Sequence, residues 1–233
     1  MPILFNNKYR IPPARLQNWN YANEAMYFVT ICTQYREHYL GEIMDANDDT
    51  DDGRDAMHCV STPILQPTEI GKIAHSEWYK SIEMRPDMNL ELGEFVVMPN
   101  HIHGIIIIGA NEYNTQRGTQ RGTQRRDAMH CVSTIPVPVP VPVPNVNVNA
   151  NANVIPNDTE YKNKFAPQSK NLSSIIRGYK SAVTTYARKN GIEFDWQPRF
   201  HDHIIRSVDD YHRISNYIIN NPAKWQQDKF YTK

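Results

Sequence analysis

The stretch "VVMPNHIHGIIII", residues 96–108, decides how this chain is read. It is an apolar run interrupted by Pro99-Asn100, and such punctuation marks a tight turn. Two strands joined as a hairpin are therefore predicted, over 89–99 and 101–109. In a strand, residues i and i+2 share a face. His101 and His103 thus project side by side while Ile102 points to the core. Imidazole nitrogen is a good ligand for divalent metals, and two on one rigid strand supply half a chelate. The plain alternative is a pair of surface histidines on a half-exposed strand. Gly104 leaves room for close approach of a backbone or ligand.

The rest of the ordered chain reads outward from this hairpin. "MYFVTICTQ" (26–34) is β-branched and aromatic, hence a strand, with "YLGEI" (39–43) as its hairpin partner. "TEIGKIAHSEWYKSIEM" (68–84) spaces Ile70, Ile73, Ala74 and Trp78 as a helix, with Thr68 as its N-cap. A second helix is predicted over 169–191, with Leu172, Ile175, Ile176, Tyr179, Val183 and Tyr186 on one side and Gly191 as the stop. A third, over 209–225, opens on an acidic turn and ends near Pro222. This order predicts an α+β fold, an antiparallel sheet with helices packed on it.

Two low-complexity regions interrupt that pattern, at about 45–67 and 110–168. The second runs through "TQRGTQRGTQRR", "IPVPVPVPVP" and "NVNVNANANV" and has no core pattern, so a long disordered loop insertion is expected. The nonapeptide "RDAMHCVST" occurs at 54–62 and again at 126–134, once in each region. Such a repeat suggests translated repetitive DNA, and no function is assigned to its His58, Cys59, His130 and Cys131. The organisation is then an N-terminal arm, 1–25, and a single domain, 26–230, carrying both insertions.

Composition narrows the function classes. No run of about 18 apolar residues exists, so no membrane span is expected, and the N-terminus lacks the apolar core of a secretory signal. Three cysteines without CxxC spacing exclude a disulfide framework and a cysteine zinc site, and a reducing cytoplasm fits. Net charge is zero, yet the average hides a segregation: residues 160–233 carry 13 Lys+Arg against 7 Asp+Glu. A basic C-terminal third is suited to an anionic partner.

A second histidine cluster lies in that basic third. "WQPRFHDHIIR" (196–206) holds His201, Asp202 and His203 beside an apolar run. A third ligand from this cluster would complete a metal site open to substrate, where a cation polarises a phosphoryl oxygen. "YFVTICTQYRE", "GKIAHSEW", "FVVMPNHIHGIIII", "YKSAVT" and "WQPRFHDHIIRSVDDYHRISNYIINNPAKW" together resemble the REP-associated tyrosine transposases, which belong to the IS200-like single-tyrosine HUH transposases. The resemblance covers about 26–44, 68–110 and 169–230.

The resemblance implies a ferredoxin-like sandwich and a metal-dependent DNA transposase and HUH endonuclease. It would nick and join single-stranded or hairpin DNA, as a monomer or homodimer associated with the bacterial nucleoid. His101 and His103 would hold Mg²⁺ or Mn²⁺, with His203 as third ligand. The family's nucleophilic tyrosine falls on Phe200, which has no oxygen to attack a phosphodiester. Three alternatives stay open. Tyr179, or Tyr186 two turns on, substitutes as nucleophile; a metal-activated water does so, assisted by His201 or Asp202; or the protein is a catalytically impaired DNA-binding relative. Single-stranded DNA calls for cations along the backbone and aromatics for stacking. The candidates are Arg177, Lys180, Arg188 and Lys189 on the 169–191 helix, and Arg199 and Arg206 around the histidines. Lys224-Trp225, Arg10, Arg15 and Trp19 complete the set.

Overall fold

The computed structural model describes residues 16, 19–44, 63–115 and 169–232. Arg10, Arg15, both copies of the repeat and the expected disorder of the insertions fall outside these residues. The sheet has four strands: β1 (Ala25–Cys32), β4 (Leu90–Met98), β5 (His101–Ile108) and β6 (His201–Ile205), in the order β4-β5-β1-β6. All neighbours are antiparallel. Helix α1 (Glu69–Glu83) links β1 to β4, and helix α3 (Leu172–Lys189) links β5 to β6. The fold is therefore α+β, and its strand order and connections are those of the ferredoxin-like split β-α-β unit.

Strand alternation divides the sheet into two faces. Tyr27, Val29, Ile31, Ile102, Ile106 and Ile108 meet α1 and α3 in the larger core. Met26, Ile105, Ile107 and Ile205 face the other way and are covered by Tyr211, Ile214 and Ile218 of helix α4 (Val208–Ile219). With both faces covered, every residue of β5 is buried. Gly104 serves packing rather than a ligand: a Cβ there would enter the Trp78 ring, which stacks on Phe95 at 4.6 Å between centroids.

The helix ends follow local chemistry. The Thr68 hydroxyl accepts from the Gly71 amide at 3.1 Å, Asn171 and Ser174 form a reciprocal capping box, and Ser207 caps α4, whose first turn holds Asp209 and Asp210. Helix α4 stops at Asn220, before Asn221-Pro222, and the chain continues as a 3₁₀ turn over Pro222–Gln227. The single helix expected over 209–225 is thus two pieces with a corner between them.

One strand pairing and three boundaries differ from expectation. Residues 39–43 do not pair with 26–34, because β1 already has β5 on one edge and β6 on the other. Instead β2 (Gly41–Met44) pairs with β3 (Ile64–Pro67), so part of the expected 45–67 insertion is a strand. A short helix, α2 (Glu112–Thr115), extends the fold past residue 110. Finally, Trp19 donates to the Tyr27 hydroxyl at 3.1 Å and Tyr21 is buried, so the domain begins before residue 26.

Candidate metal centre

His101 and His103 occupy the α4 face of β5 and are only 0% and 1% exposed, so neither is a surface histidine. The hairpin turn fixes the first ring. The Asn100 amide donates to the Phe230 carbonyl at 2.8 Å and to the Thr232 hydroxyl at 3.2 Å. Its carbonyl oxygen must therefore accept, and it lies 2.9 Å from His101 Nδ1. The proton of His101 is thereby assigned to Nδ1, leaving a lone pair on Nε2. His103 Nδ1 lies 2.9 Å from the Thr30 hydroxyl, which can donate or accept.

The two Nε2 atoms are 3.1 Å apart. Two lone pairs cannot face each other at that distance, so a proton on one ring or a cation shared by both must lie between them. Burial, reinforced by the charges of Arg36 and Lys229, pushes His101 down to about 3. Burial and then the neighbouring His101 hold His103 well below the ordinary imidazole range. Both rings are therefore neutral ligands at neutral pH.

The C-terminal turn supplies an oxygen. One Asp228 carboxylate oxygen accepts from the Phe230 amide at 2.7 Å, and the other from the Asn221 side-chain amide at 3.1 Å. Thus oriented, Asp228 places a carboxylate oxygen with the ligand nitrogens of His101 and His103, all within 4.8 Å of one another. Asn221 is buried, and its own carbonyl oxygen has no hydrogen-bond partner among the described residues. Two imidazoles and a carboxylate at one point, with an unpartnered buried amide oxygen on the neighbouring Asn221, fit a divalent cation. Phe230 packs on the His101 ring at 4.6 Å and Phe28 on that of His103 at 5.2 Å, so the inner side is apolar.

One tyrosine meets this cluster. Tyr217 lies on α4 beside the buried stripe of Ile214 and Ile218, at the end nearest the histidines. Its hydroxyl is 3.2 Å from His103 Nε2 and 3.4 Å from an Asp228 oxygen. Burial first, then the Asp228 charge, push the phenol up to about 12. Yet the residue is 41% exposed and lines a hollow of about 160 Å³ with Asn220, Asn221, Lys224, Gln227 and Asp228. A phenolic oxygen, a metal-ligand set and an open mouth meet here.

Several expected positions need correction. His203 does not join His101 and His103: β1 separates β6 from β5, two strand spacings or about 10 Å. The His203 ring lies 3.1 Å from Asp210, which is also paired with Arg213. His201 is the β6 residue in the row of His103, through Thr30, and is exposed on the same face. Tyr179 is 2% exposed in the opposite core and donates to the Ala74 carbonyl at 3.0 Å, so its oxygen is remote from His101 and committed. Tyr186 bonds Glu69 at 2.5 Å on that same side. Phe200 also packs on the α1–α3 side, because it precedes His201 by one residue and the faces alternate. A tyrosine there would have faced away from the cluster.

The candidate DNA contacts divide likewise. Arg177, Lys180 and Arg188 ride on α3, across the sheet from the histidines. Lys180 is tied to the carbonyls of Gln197 and Arg199, at 2.7 and 3.2 Å, and anchors that loop. Arg199 and Arg206 are exposed at the two ends of β6. Lys224, alone among the described members of the set, lines the hollow beside Tyr217. No described helix is long and apolar enough to cross a membrane.

No family model matches the chain. It is 29% identical over 218 residues to an uncharacterised protein of Haemophilus influenzae, covering 93% of this chain and 91% of that protein. Among solved structures it is similar to a REP-associated tyrosine transposase bound to a REP hairpin, at 17% identity and a TM-score of 0.44, covering 95% of this chain and 76% of that one.

Proposed function

We propose that this protein is a metal-dependent single-strand DNA endonuclease and strand transferase of the HUH type, with Tyr217 as nucleophile. The observation that carries the reading is the Tyr217 hydroxyl, 3.2 Å from His103 Nε2 and open to the hollow. The sequence resemblance to HUH transposases supplies the substrate class. His101, His103 and Asp228 would hold the cation. An N,N,O set of this kind suits Mn²⁺ better than the all-oxygen shell Mg²⁺ favours. When bound, a divalent ion polarises a phosphoryl oxygen and offsets the charge that develops on it.

The chain's own groups do the rest. Tyr217 Oη attacks phosphorus, so an O–P bond forms and the bond from phosphorus to the 3′ oxygen breaks. The products are a 5′-phosphotyrosine and a strand ending in a 3′-hydroxyl. The phenol proton passes to Asp228, its 3.4 Å acceptor, and the departing 3′ oxygen takes a proton from solvent. A 3′-hydroxyl can later attack the phosphotyrosine, which rejoins a strand and restores the phenol. Lys224, which lines the hollow, is the cation for the phosphate in this reading, and the exposed Arg199, His201 and Arg206 at β6 are its further contacts to the strand. Phe200 no longer argues for a catalytically impaired relative.

The test is adduct formation with a single-stranded or hairpin oligonucleotide and Mn²⁺, read as a protein–DNA band that survives denaturation. Wild type forms it; Tyr217→Phe and His101→Ala do not. A wild-type protein that binds DNA yet never cuts it under any divalent metal refutes the catalytic reading. An adduct that survives in Tyr217→Phe refutes the assigned nucleophile.

A further inference from the structure

Thr33 leaves β1 into a tight turn, Gln34–Glu37, closed by the Glu37 amide on the Gln34 carbonyl at 3.1 Å. Its two central residues are Tyr35 and Arg36, with φ of 53° and 62°. This is the conformation of a type I′ turn, which Asn-Gly adopts without strain and which Tyr-Arg does not. Strain of this sort persists where something else requires the side chains. Tyr35 is 84% exposed, with no partner for its ring or hydroxyl among the described residues. Arg36 turns the other way, over the Phe230 ring, 4.5 Å from its centroid.

Lys229 comes to the same ring from the C-terminal turn, at 4.7 Å. Neither cation has an ion-pair partner among the described residues. The two segments are tied together: Arg36 donates to the Lys229 carbonyl at 3.4 Å, and His38 meets the Thr232 hydroxyl at 2.8 Å. Phe230 in turn lies on His101. A rigid, strained surface thus offers one free aromatic face and two unneutralised cations at the flank of the metal centre.

We infer that Tyr35, Arg36 and Lys229 form a landing platform for single-stranded DNA, with a base stacked on Tyr35 and backbone phosphates held by Arg36 and Lys229. The inference rests on the proposed function for its substrate class, and it assigns residues which that mechanism does not use. Stacking on an aromatic tolerates any base, and paired cations track the backbone whatever the sequence. The platform therefore supplies affinity without sequence preference and directs the strand toward Tyr217.

The experiment measures binding of a fluorescein-labelled single-stranded oligothymidylate of about 12 nucleotides, in EDTA, across a salt series. The same strand with abasic sugars is run beside it. Tyr35→Ala weakens binding of the oligothymidylate roughly 5- to 150-fold and leaves abasic binding unchanged, while Tyr35→Phe binds as wild type. Arg36→Ala and Lys229→Ala each lower the slope of log K against log salt by about 0.7, on both strands. Replacing the pair, Tyr35→Asn with Arg36→Gly, raises the melting temperature by relieving the turn while weakening binding. Wild type that binds, with all these variants binding alike, overturns the platform and leaves the proposed function standing. Wild type that binds no single strand at all overturns both.

Discussion

Asn100 makes two kinds of contact, and substitution can separate them. Its carbonyl oxygen accepts from His101 Nδ1 at 2.9 Å, and its amide donates to Phe230 and Thr232 at 2.8 and 3.2 Å. Asn100→Ala removes all three bonds in a site with no solvent exposure. Two buried groups, the His101 N–H and the Phe230 carbonyl, are orphaned at about 1–3 kcal/mol each, so stability falls by at least about 2 kcal/mol. Without its acceptor the His101 ring loses its fixed tautomer and orientation, which lowers metal affinity roughly 10- to 100-fold, or about 1.4–2.7 kcal/mol. Asn100→Asp keeps the acceptor and loses the donors. Its Mn²⁺ affinity should match or exceed wild type while its stability still drops. Titration calorimetry with Mn²⁺ and urea unfolding of the metal-free protein read the two effects independently. The reasoning is falsified if Asn100→Ala binds Mn²⁺ within about twofold of wild type, since an orienting contact of this kind is worth more than that.

Other consequences follow from the same geometry. Tyr179→Phe leaves adduct formation intact and costs about 0.5–1.5 kcal/mol of stability, since one buried hydrogen bond is lost while the Ala74 carbonyl keeps its place in the helix; loss of the adduct in this variant would restore Tyr179 as a nucleophile. In EDTA, stability should fall with acid, because His101 ionises at about 3 when folded and near its ordinary 6.5 when unfolded. The unfolded chain binds the extra proton, so this contribution is intact above about 6.5 and lost progressively toward 3, at up to about 1.4 kcal/mol per pH unit. His101→Gln should flatten that slope, and an unchanged slope in pH-dependent urea melts would refute the assignment. Finally, Asp87 takes bonds from both Tyr113 and Lys170, and Asn114 bonds the Ala22 carbonyl at 3.2 Å, so the two ends of the 116–168 segment are clamped to the domain. Replacing 116–168 by a short Gly-Ser linker should leave the melting temperature within a few degrees; a molten product by circular dichroism would show that the clamp is insufficient.

Much of the architecture is legible in the sequence alone. The apolar spacing of 68–84 and 169–191, the cap at Thr68, the acidic first turn of the last helix and the Pro99-Asn100 turn all act over a few residues, so local chemistry settles them. The same short range fixed the shared face of His101 and His103, because alternation along a strand needs no knowledge of the partner strands. Tyr217 left a partial trace, adjacent to the apolar stripe of its helix and just before the Asn-Asn-Pro stop. Asp228 left none: it stands in an aperiodic turn, and only the corner at Pro222 brings it back over β5.

The sequence by itself therefore determined most of the elements, their faces and one half of a candidate metal site. Tertiary structure alone decided which residues stand beside it. The choice between His203 and Asp228 depends on β1 lying between β5 and β6, which is a fact of strand order. The choice among Phe200, Tyr179 and Tyr217 depends on which side of the sheet each helix covers. Both are set by contacts between residues distant in the sequence, from Thr30 with His103 to Thr30 with His201, and no pattern of 2 or 3.6 residues carries information over that distance.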